Sequence, residues 1–487
     1  MNKTIILLLA LTLLTTTTIT AKPASSEETA ENSWVSKAPM QQARGGLGVA
    51  VLNGKIYTIG GSSASGSYSP DISGEFVDTN EEYDPATGTW AFKASMPTPR
   101  AHFAIAVYQN KVYCVGGTVD IGKDPMYGVL VPTYINSGVN EVYDPTTDTW
   151  ETKTPMPIVQ RGLQANVVGD KIYLTGAGSW EVYNLVYNPA KDTWVTIANY
   201  TTPMPSGVTH YASAVFEDKI YVVAVDLYSI QTMGQLLIYD VANDSWSQGT
   251  RAPFLFHGGA AVTTTGLMAP KRIYVFGISV NSSYNTQVYD PITDSWKVGA
   301  DTPTLRADSG IAVINDTFYV IGGYAASIFP QGYYTASKVN EQYIPFGYDT
   351  VPPAVSVVSP ENRTYGASDV ALTFIVNKPV SSMSYSLDGA TNATATGNAT
   401  LTGLTNGLHN VTVYATDALG NTGASETITF TIAEETQAAP FPTATAAASL
   451  AVIALVSVSL AAYYFTKVRR KNEKPKNNQP SLQNNPD

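Results

Sequence analysis

Apolar and polar positions alternate in short runs along residues 34–346, and the same arrangement returns six times. Each copy holds an apolar strand ending in an aromatic: Lys55-Ile56-Tyr57, Lys111-Val112-Tyr113, Lys171-Ile172-Tyr173, Lys219-Ile220-Tyr221, Arg272-Ile273-Tyr274 and Thr317-Phe318-Tyr319. Each is followed by a turn-forming triplet: Tyr83-Asp84-Pro85, Tyr143-Asp144-Pro145, Tyr187-Asn188-Pro189, Tyr239-Asp240-Val241, Tyr289-Asp290-Pro291 and Tyr343-Ile344-Pro345. Alternation of this kind predicts half-buried strands, and a repeat of about fifty residues predicts an array of small sheets, each burying its faces against its neighbours. The pattern predicts an all-β chain whose larger part is a closed, six-bladed β-propeller.

Glycine doublets end the second strand of three copies, at Gly60-Gly61, Gly116-Gly117 and Gly322-Gly323. The third to fifth copies degrade them to Gly176-Ala177, Ala224-Val225 and Gly277-Ile278. Glycine at a strand end lets the chain turn sharply and lets backbones approach closely. Trp90, Trp150, Trp194, Trp246 and Trp296 follow the first five turns. Doublet, Tyr-Asp-Pro turn and Trp together resemble the kelch repeat over residues 34–348. Trp34 precedes the first copy and no Trp follows the sixth. The segment around Trp34-Val35 is therefore expected to supply the outer strand of the last blade, which removes the open edge of the array. The Tyr and Trp residues read as packing between blades.

The ends of the chain read differently. Residues 1–21 carry Lys3, an apolar run over 5–14 and a Thr-rich stretch, the pattern of a secretory signal. Residues 22–33 read as a disordered linker. Residues 444–465 are uncharged and mostly apolar, enough for about 33 Å of helix. Lys467, Arg469, Arg470, Lys471, Lys474 and Lys476 follow it. The expectation is one C-terminal transmembrane helix over 444–466 after a linker at 434–443. The basic tail 467–487 would lie in the cytoplasm and the rest outside the cell. The formal charge of −11 leaves no basic surface in the sequence for nucleic acid. The single cysteine, Cys114, excludes a disulfide framework. In the expected outside portion eight Asn-x-Ser/Thr triplets begin at Asn199, Asn243, Asn281, Asn315, Asn362, Asn392, Asn398 and Asn410, and are candidate glycosylation sites on an exported chain.

The repeat stops near Asp349. Residues 349–433 show short alternating runs separated by turns at Leu387-Asp388-Gly389, Asn406-Gly407 and Asp417 to Asn421, a pattern that predicts a β-sandwich. The turns resemble those of Ig-like modules on archaeal and bacterial surface proteins, here without a cysteine pair. Asp388, Asp417 and Asn421 are calcium-type ligands, but turn formation accounts for them. A spacer that carries the propeller is the plain reading.

Candidate binding residues fall where the innermost strand of each blade begins: Arg44-x-Gly46, Arg100-x-His102, Gln160-Arg161-Gly162, Val208-x-His210, Leu255-x-His257 and Arg306-x-Asp308. In kelch domains that bind acidic peptides, arginines at this place make charge-assisted contacts, so the resemblance implies that Arg44, Arg100, Arg306, Arg161 and His102 ring the mouth of one face. Long insertions over 62–76, 118–138 and 324–337 reach that face from blades one, two and six. They carry Tyr68, Phe76, Tyr127, Tyr134, Tyr324, Phe329, Tyr333 and Tyr334, side chains suited to anchoring a protein or stacking on a glycan. His102, His210 and His257 come from different blades, and no metal or cofactor is expected.

Some kelch propellers are enzymes. A copper oxidase needs a Cys–Tyr pair and copper-binding histidines, and Cys114 in a central strand is poorly placed for it. An epimerase or lyase acting on sugars needs only a few acid–base groups, for which His102, Asp308 and the arginines at the mouth stand available. The main expectation is a cell-surface, single-pass protein whose propeller binds an extracellular protein or glycan. The alternatives are the sugar enzyme and a structural surface-layer component.

Overall fold

The computed structural model describes residues 30–433 and 454–463, apart from 64, 68–74, 127–128, 160, 176–184, 197–207, 227–233, 255, 280–284 and 327–332. The expected signal, the anionic stretch up to residue 29 and the basic tail lie outside the described residues.

Alternation along each repeat produces four antiparallel strands, and six four-stranded sheets follow one another through residues 33–344. Blade one is Gly48–Leu52, Lys55–Ile59, Asn80–Asp84 and Thr89–Lys93. Blade two is Ala104–Tyr108, Lys111–Val115, Asn140–Asp144 and Thr149–Lys153; blade three is Gln164–Val168, Lys171–Thr175, Leu185–Asn188 and Thr193–Thr196. Blade four is Val208–Phe216, Lys219–Asp226, Gln235–Asp240 and Ser245–Gln248; blade five is Phe256–Thr263, Ile273–Ser279, Asn285–Asp290 and Ser295–Asp301. Blade six takes Gly310–Ile314, Thr317–Ile321 and Asn340–Ile344 from the sixth repeat and its outer strand, Ser33–Ser36, from the other end of the propeller sequence. The innermost strands touch in cyclic order, with that of blade six against that of blade one, so the ring is closed. The second strands are the most buried, as in Lys55–Ile59, where Ile56 and Ile59 are inaccessible; outer strands keep one wet face.

The register of the closing strand repeats that of every other blade. Trp34 lies opposite Tyr343, as Trp90 opposes Tyr83 and Trp150 opposes Tyr143. In all six blades the two rings sit 4.8–5.1 Å apart, contacts worth about 0.5–1.5 kcal/mol each beyond their buried area.

Trp34, Trp90, Trp150, Trp194 and Trp296 also reach the preceding blade. Trp150 Nε1 donates to the Ala94 carbonyl at 2.8 Å, Trp194 to Thr154 at 2.9 Å and Trp296 to Thr250 at 2.8 Å. The N–H of the same three residues donates to Asp148, Asp192 and Asp294. Those aspartates also accept the hydroxyl protons of Tyr143, Tyr187 and Tyr289. One Asp-x-Trp triplet thus satisfies both backbone groups at the end of a neighbour's outer strand. The aspartate sits in the left-handed region, with φ of 53°, 51° and 48°, and blade one has Gly88 there instead.

Asn32-Ser33-Trp34 reproduces the device where the ring closes. Trp34 Nε1 donates to the Ala300 carbonyl at 3.3 Å, while Asn32 Oδ1 accepts the Ala300 N–H at 2.6 Å and the Tyr343 hydroxyl at 2.7 Å. Asn32 has φ of 54°. The expected linker over 22–33 therefore ends too late: Asn32 and Ser33 belong to the propeller, because the closing strand needs the same turn that starts every other outer strand.

Residues 354–376, 380–415 and 423–433 form most of a second unit. Its strands make a three-stranded sheet of Val355–Ser359, Val370–Val376 and Ala399–Leu401. A second sheet holds Thr364–Tyr365, Ile428–Ile432, Gly407–Thr416, Ser382–Leu387 and Ala393–Ala395, with Thr422–Ala424 beside Gly407–Thr416. Leu372, Leu401, Val411, Val413 and Phe430 from both sheets share one buried cluster. Of the expected membrane segment, 454–463 is helical. No helix among the described residues is long and apolar enough to cross a membrane.

Two predictions follow from the interblade device. Trp34→Ala removes a half-buried aromatic and an edge hydrogen bond, at an expected cost of about 2–4 kcal/mol. Urea unfolding that matched the unsubstituted protein would show that the closing strand does not hold the ring. The Tyr143 hydroxyl and the Ala94 N–H hold the Asp148 carboxyl below its ordinary range. A depressed folded value means stabilisation that is complete above the unfolded value of about 3.9 and lost as pH falls through the folded one. Asp148→Asn keeps an acceptor oxygen, as Asn32 does, so it should fold normally at neutral pH and lose less stability than the parent on acidification. Unfolding of that variant at neutral pH would show that the charge, rather than the acceptor, is needed.

Candidate functional site

In every blade the first strand starts, and the second and fourth strands end, on one face, here called the upper face. The tight turns between first and second strands and between third and fourth strands lie on the lower face. On the upper face, four residues that precede or begin inner strands adopt left-handed backbone: Asp308 (φ 51°), Gly46 (61°), His102 (54°) and Gly162 (66°). They are linked blade to blade. The Gly46 N–H donates to the Asp308 carbonyl at 3.0 Å, the His102 N–H to Gly46 at 2.8 Å, and the Gly162 N–H to His102 at 2.8 Å. The His102 ring covers Gly46, where a Cβ would sit 2.6 Å from Nε2. His102 Nε2 lies 3.8 Å from Asp308 Oδ2, and both side chains are partly exposed. Left-handed backbone is uncommon for non-glycine residues, and here it brings the His102 imidazole and the Asp308 carboxylate together at the mouth.

His210 and His257 are not equivalent to His102. Both lie inside longer inner strands, Val208–Phe216 and Phe256–Thr263, at register shifts between Thr209 and Tyr211 and between His257 and Ala260. The position along the sequence is shared, but in blades four and five it falls at a bulge within a continuous strand, whereas His102 stands at a left-handed turn.

The three arginines are where the sequence places them along the chain but not where a ligand meets them. Arg44 and Arg100 are fully buried and Arg306 nearly so. Arg44 pairs with Glu81 at 2.8 Å, Arg100 with Glu141, and Arg306 with Glu341 at 2.6 Å. Most of the other Nη donors serve backbone, while the buried Nε of each arginine has no hydrogen-bond partner among the described residues. Arg44 Nη1 donates to the carbonyls of Thr58, Gly60 and Thr79, Arg100 Nη2 to Cys114, and Arg306 Nη1 to Gly322 and Val339. The glutamates in turn accept from the incoming segment: Glu81 from the Gln41 and Gln42 N–H groups, Glu141 from Thr98 and Glu341 from Thr304. Each pair closes the upper end of its blade by tying the entry to the first strand to the second and third strands. Burial pulls the Arg44 and Arg306 guanidinium groups down from their ordinary value, and the adjacent glutamates oppose this.

A signal for this was present in the sequence. Two positions before the turn tyrosine stand Glu81, Glu141, Leu185, Leu237, Gln287 and Glu341. Arginine occurs where glutamate occurs, in blades one, two and six, and leucine stands in blades three and four. Of the remaining mouth residues, Arg161 is exposed beside Gly162.

The long insertions are built structure. Blade six contributes Arg306–Ala307, Tyr324–Ala326 and Tyr333–Ala336, and blade one adds Ser65–Ser67 to the same four-stranded sheet. Blade two raises the hairpin Thr118–Met126 and Val129–Asn136. Phe76 of blade one meets Tyr134 of that hairpin with ring centroids 5.1 Å apart. The rim thus runs continuously over blades six, one and two. Tyr324 is not a contact residue: its ring is buried over Gly45 and its hydroxyl donates to the Gly45 carbonyl at 3.2 Å. Tyr134 is half-buried, while Ile121 and Ile135 are exposed on the hairpin. Tyr333 and Tyr334 are described in backbone only; Tyr68, Tyr127 and Phe329 lie outside the described residues.

Elsewhere, Cys114 is fully buried, and burial pushes its thiol up to about 12, so it is unreactive. Asp417 accepts from the Leu419 and Asn421 N–H groups, from Asn421 Nδ2 and from Lys378 Nζ at 2.8 Å, the bonding of a turn and an ion pair. Asn243, Asn315, Asn362, Asn392, Asn398 and Asn410 are exposed; Asn199 and Asn281 lie outside the described residues.

A family model described as Kelch motif matches residues 43–97 and 99–157. Kelch-like protein 35 of Mus musculus is 28% identical over 179 residues, 37% of this chain and 27% of that protein. Kelch-like protein 25 of Xenopus tropicalis is 28% identical over 239 residues, 49% of this chain and 38% of that protein. Kelch-like protein terF of Aspergillus terreus is 25% identical over 298 residues, 56% of this chain and 60% of that protein. The chain thus spans between 27% and 60% of the length of these relatives. A solved structure of YjhT shares 15% identity at a TM-score of 0.46, covering 63% of this chain and 99% of that one. The motif matches and the kelch-like relatives support a kelch-repeat β-propeller family.

The buried pairs give a direct test. Arg44→Ala strands Glu81 in the interior, at an expected cost of about 3–5 kcal/mol in chemical unfolding. The double substitution Arg44→Met with Glu81→Leu, which imitates the leucine of blades three and four, should recover most of that loss. An Arg44→Ala protein as stable as its parent would remove the structural role.

Proposed function

We propose that this chain is a recognition protein whose kelch propeller binds a protein partner through the rim over blades six, one and two. The observation that supports this most is the rim itself. Three adjacent blades alone extend their upper connections into paired strands among the described residues, and Phe76 and Tyr134 join the pieces. A raised, asymmetric surface with exposed Ile121 and Ile135 offers the apolar anchors and polar surround of a protein interface. The buried arginines act beneath it as supports.

The setting belongs to the same proposal. An amino-terminal signal over 1–21, an Ig-like spacer over 349–433 and a membrane helix over 444–466 would display the propeller outside the cell, with the basic tail in the cytoplasm. The apolar run and its basic flank support this, as do six exposed acceptor triplets for glycans. The partner is then an extracellular protein, with a glycan as the other outcome of a screen.

The test is capture of surface proteins by the full chain, with Ile121→Asp/Ile135→Asp beside it. Ile292→Asp, on an exposed lower-face turn, serves as the control. Partners captured by the parent and the control, and reduced at least about tenfold with the rim variant, are the expected result. Equal capture by all three would reject the rim, and capture of free glycans alone would replace the protein partner.

A further inference from the structure

Within residues 354–433 one histidine, His409, is buried with its ring 5.7 Å from that of Phe430. Both ring nitrogens face acceptors. Nδ1 is 2.7 Å from Asp388 Oδ2, and Nε2 is 2.7 Å from the Thr405 carbonyl oxygen. A neutral imidazole has one N–H, so it would set a lone pair against one of these oxygens; an imidazolium donates to both. The Thr405 carbonyl accepts in any protonation state. Burial pushes the Asp388 carboxyl up, but hydrogen bonds from His409 and from the Asn410 N–H outweigh this and hold it below its ordinary range.

Asp388 is also the turn residue that positions this contact. Asp388 and Gly389 have φ of 53° and 72°, the paired left-handed residues of a tight hairpin turn, and the turn closes through Ala390 N–H to Leu387. The Asp388 N–H donates to the Asn410 carbonyl at 2.8 Å, so turn and strand are locked in both directions.

We infer that His409 is held as an imidazolium and forms, with Asp388 and Thr405, a pH-sensitive clasp. It ties the turn at 387–390 and the segment leading to Thr405 onto the strand Gly407–Thr416, and it opens on the alkaline side. The other charged and titratable groups around it do not reverse this. The strand Ile428–Ile432 presents the uncharged Phe430, behind which Tyr365 stacks under Arg363. Asp369 is engaged by the Gly403 N–H, and the strand neighbours Leu408 and Asn410 are uncharged. Asp388 is the charge in contact, and it favours the charged ring.

The Thr405 carbonyl and then the Asp388 carboxylate raise His409 above the 6.5 of free imidazole, against burial, which lowers it. A raised folded value means that the clasp contributes fully below the unfolded value of about 6.5 and is lost as pH rises through the folded one.

The experiment is proton NMR titration of the four histidines in the full chain, with the His409 resonance identified by its loss in His409→Gln. The inference expects a midpoint above that of free imidazole, a lower midpoint in Asp388→Asn, and faster Asn410 amide exchange above the midpoint. Asparagine tolerates the left-handed turn, so Asp388→Asn keeps the test open if His409→Gln does not fold. A midpoint at or below that of free imidazole, or one unmoved by Asp388→Asn, would overturn it.

Discussion

The end of each outer strand leaves a carbonyl and an N–H that must be satisfied beside the next blade, and the propeller is organised around that requirement. Ala94, Thr154, Thr250 and Ala300 each give their carbonyl to a tryptophan and their N–H to an aspartate or asparagine of the following blade. The second hydrogen bond to that acceptor comes from the turn tyrosine, so one side-chain oxygen joins two blades. A ring made of such joints has no weak seam as long as the last joint repeats the rest. Asn32 shows that the acceptor need not carry a charge, and Gly88 that the left-handed turn can stand without one.

Once the joints fix the blades laterally, their upper ends need a separate lock, because the chain enters each inner strand there, beside the Gly-Gly turn in the three blades that keep it. In blades one, two and six a buried Arg–Glu pair supplies it, and the glycine carbonyls Gly60 and Gly322 are among its acceptors. These are also the blades that carry the raised rim. A buried ion pair stabilises little compared with apolar packing, but it fixes geometry, since the Nη donors meet their acceptors in set directions. The rim thus stands on the three blades whose upper ends are pinned by hydrogen bonds in fixed directions.

The mouth residues show the same economy of backbone. Gly46 and Gly162 adopt their left-handed turns freely, whereas His102 and Asp308 hold theirs at some strain and bring an imidazole and a carboxylate to face each other over Gly46. The second unit uses its own His–Asp contact differently, burying the ring so that both nitrogens are bound.

Local pattern carried the repeat: alternation, turn triplets and tryptophans at a constant offset marked the six copies and the use of Trp34 in the last blade, because those signals depend on neighbours a few residues apart. The pattern also held the partners of the arginines, in glutamates two positions before the turn tyrosines, but arginine at the start of an inner strand looks the same whether it faces solvent or a carboxylate some forty residues away. Burial decided between the two, and burial is a property of the closed blade. Likewise, insertions that read as loops became a sheet shared by blades six and one, since pairing Ser65–Ser67 with Tyr333–Ala336 joins segments brought together only by ring closure. The sequence by itself determined the number and register of the blades, because each is set by local spacing. Which charged side chains lie inside, and which surface is left to meet a partner, only the tertiary structure decided, because both depend on contacts between residues far apart in the chain.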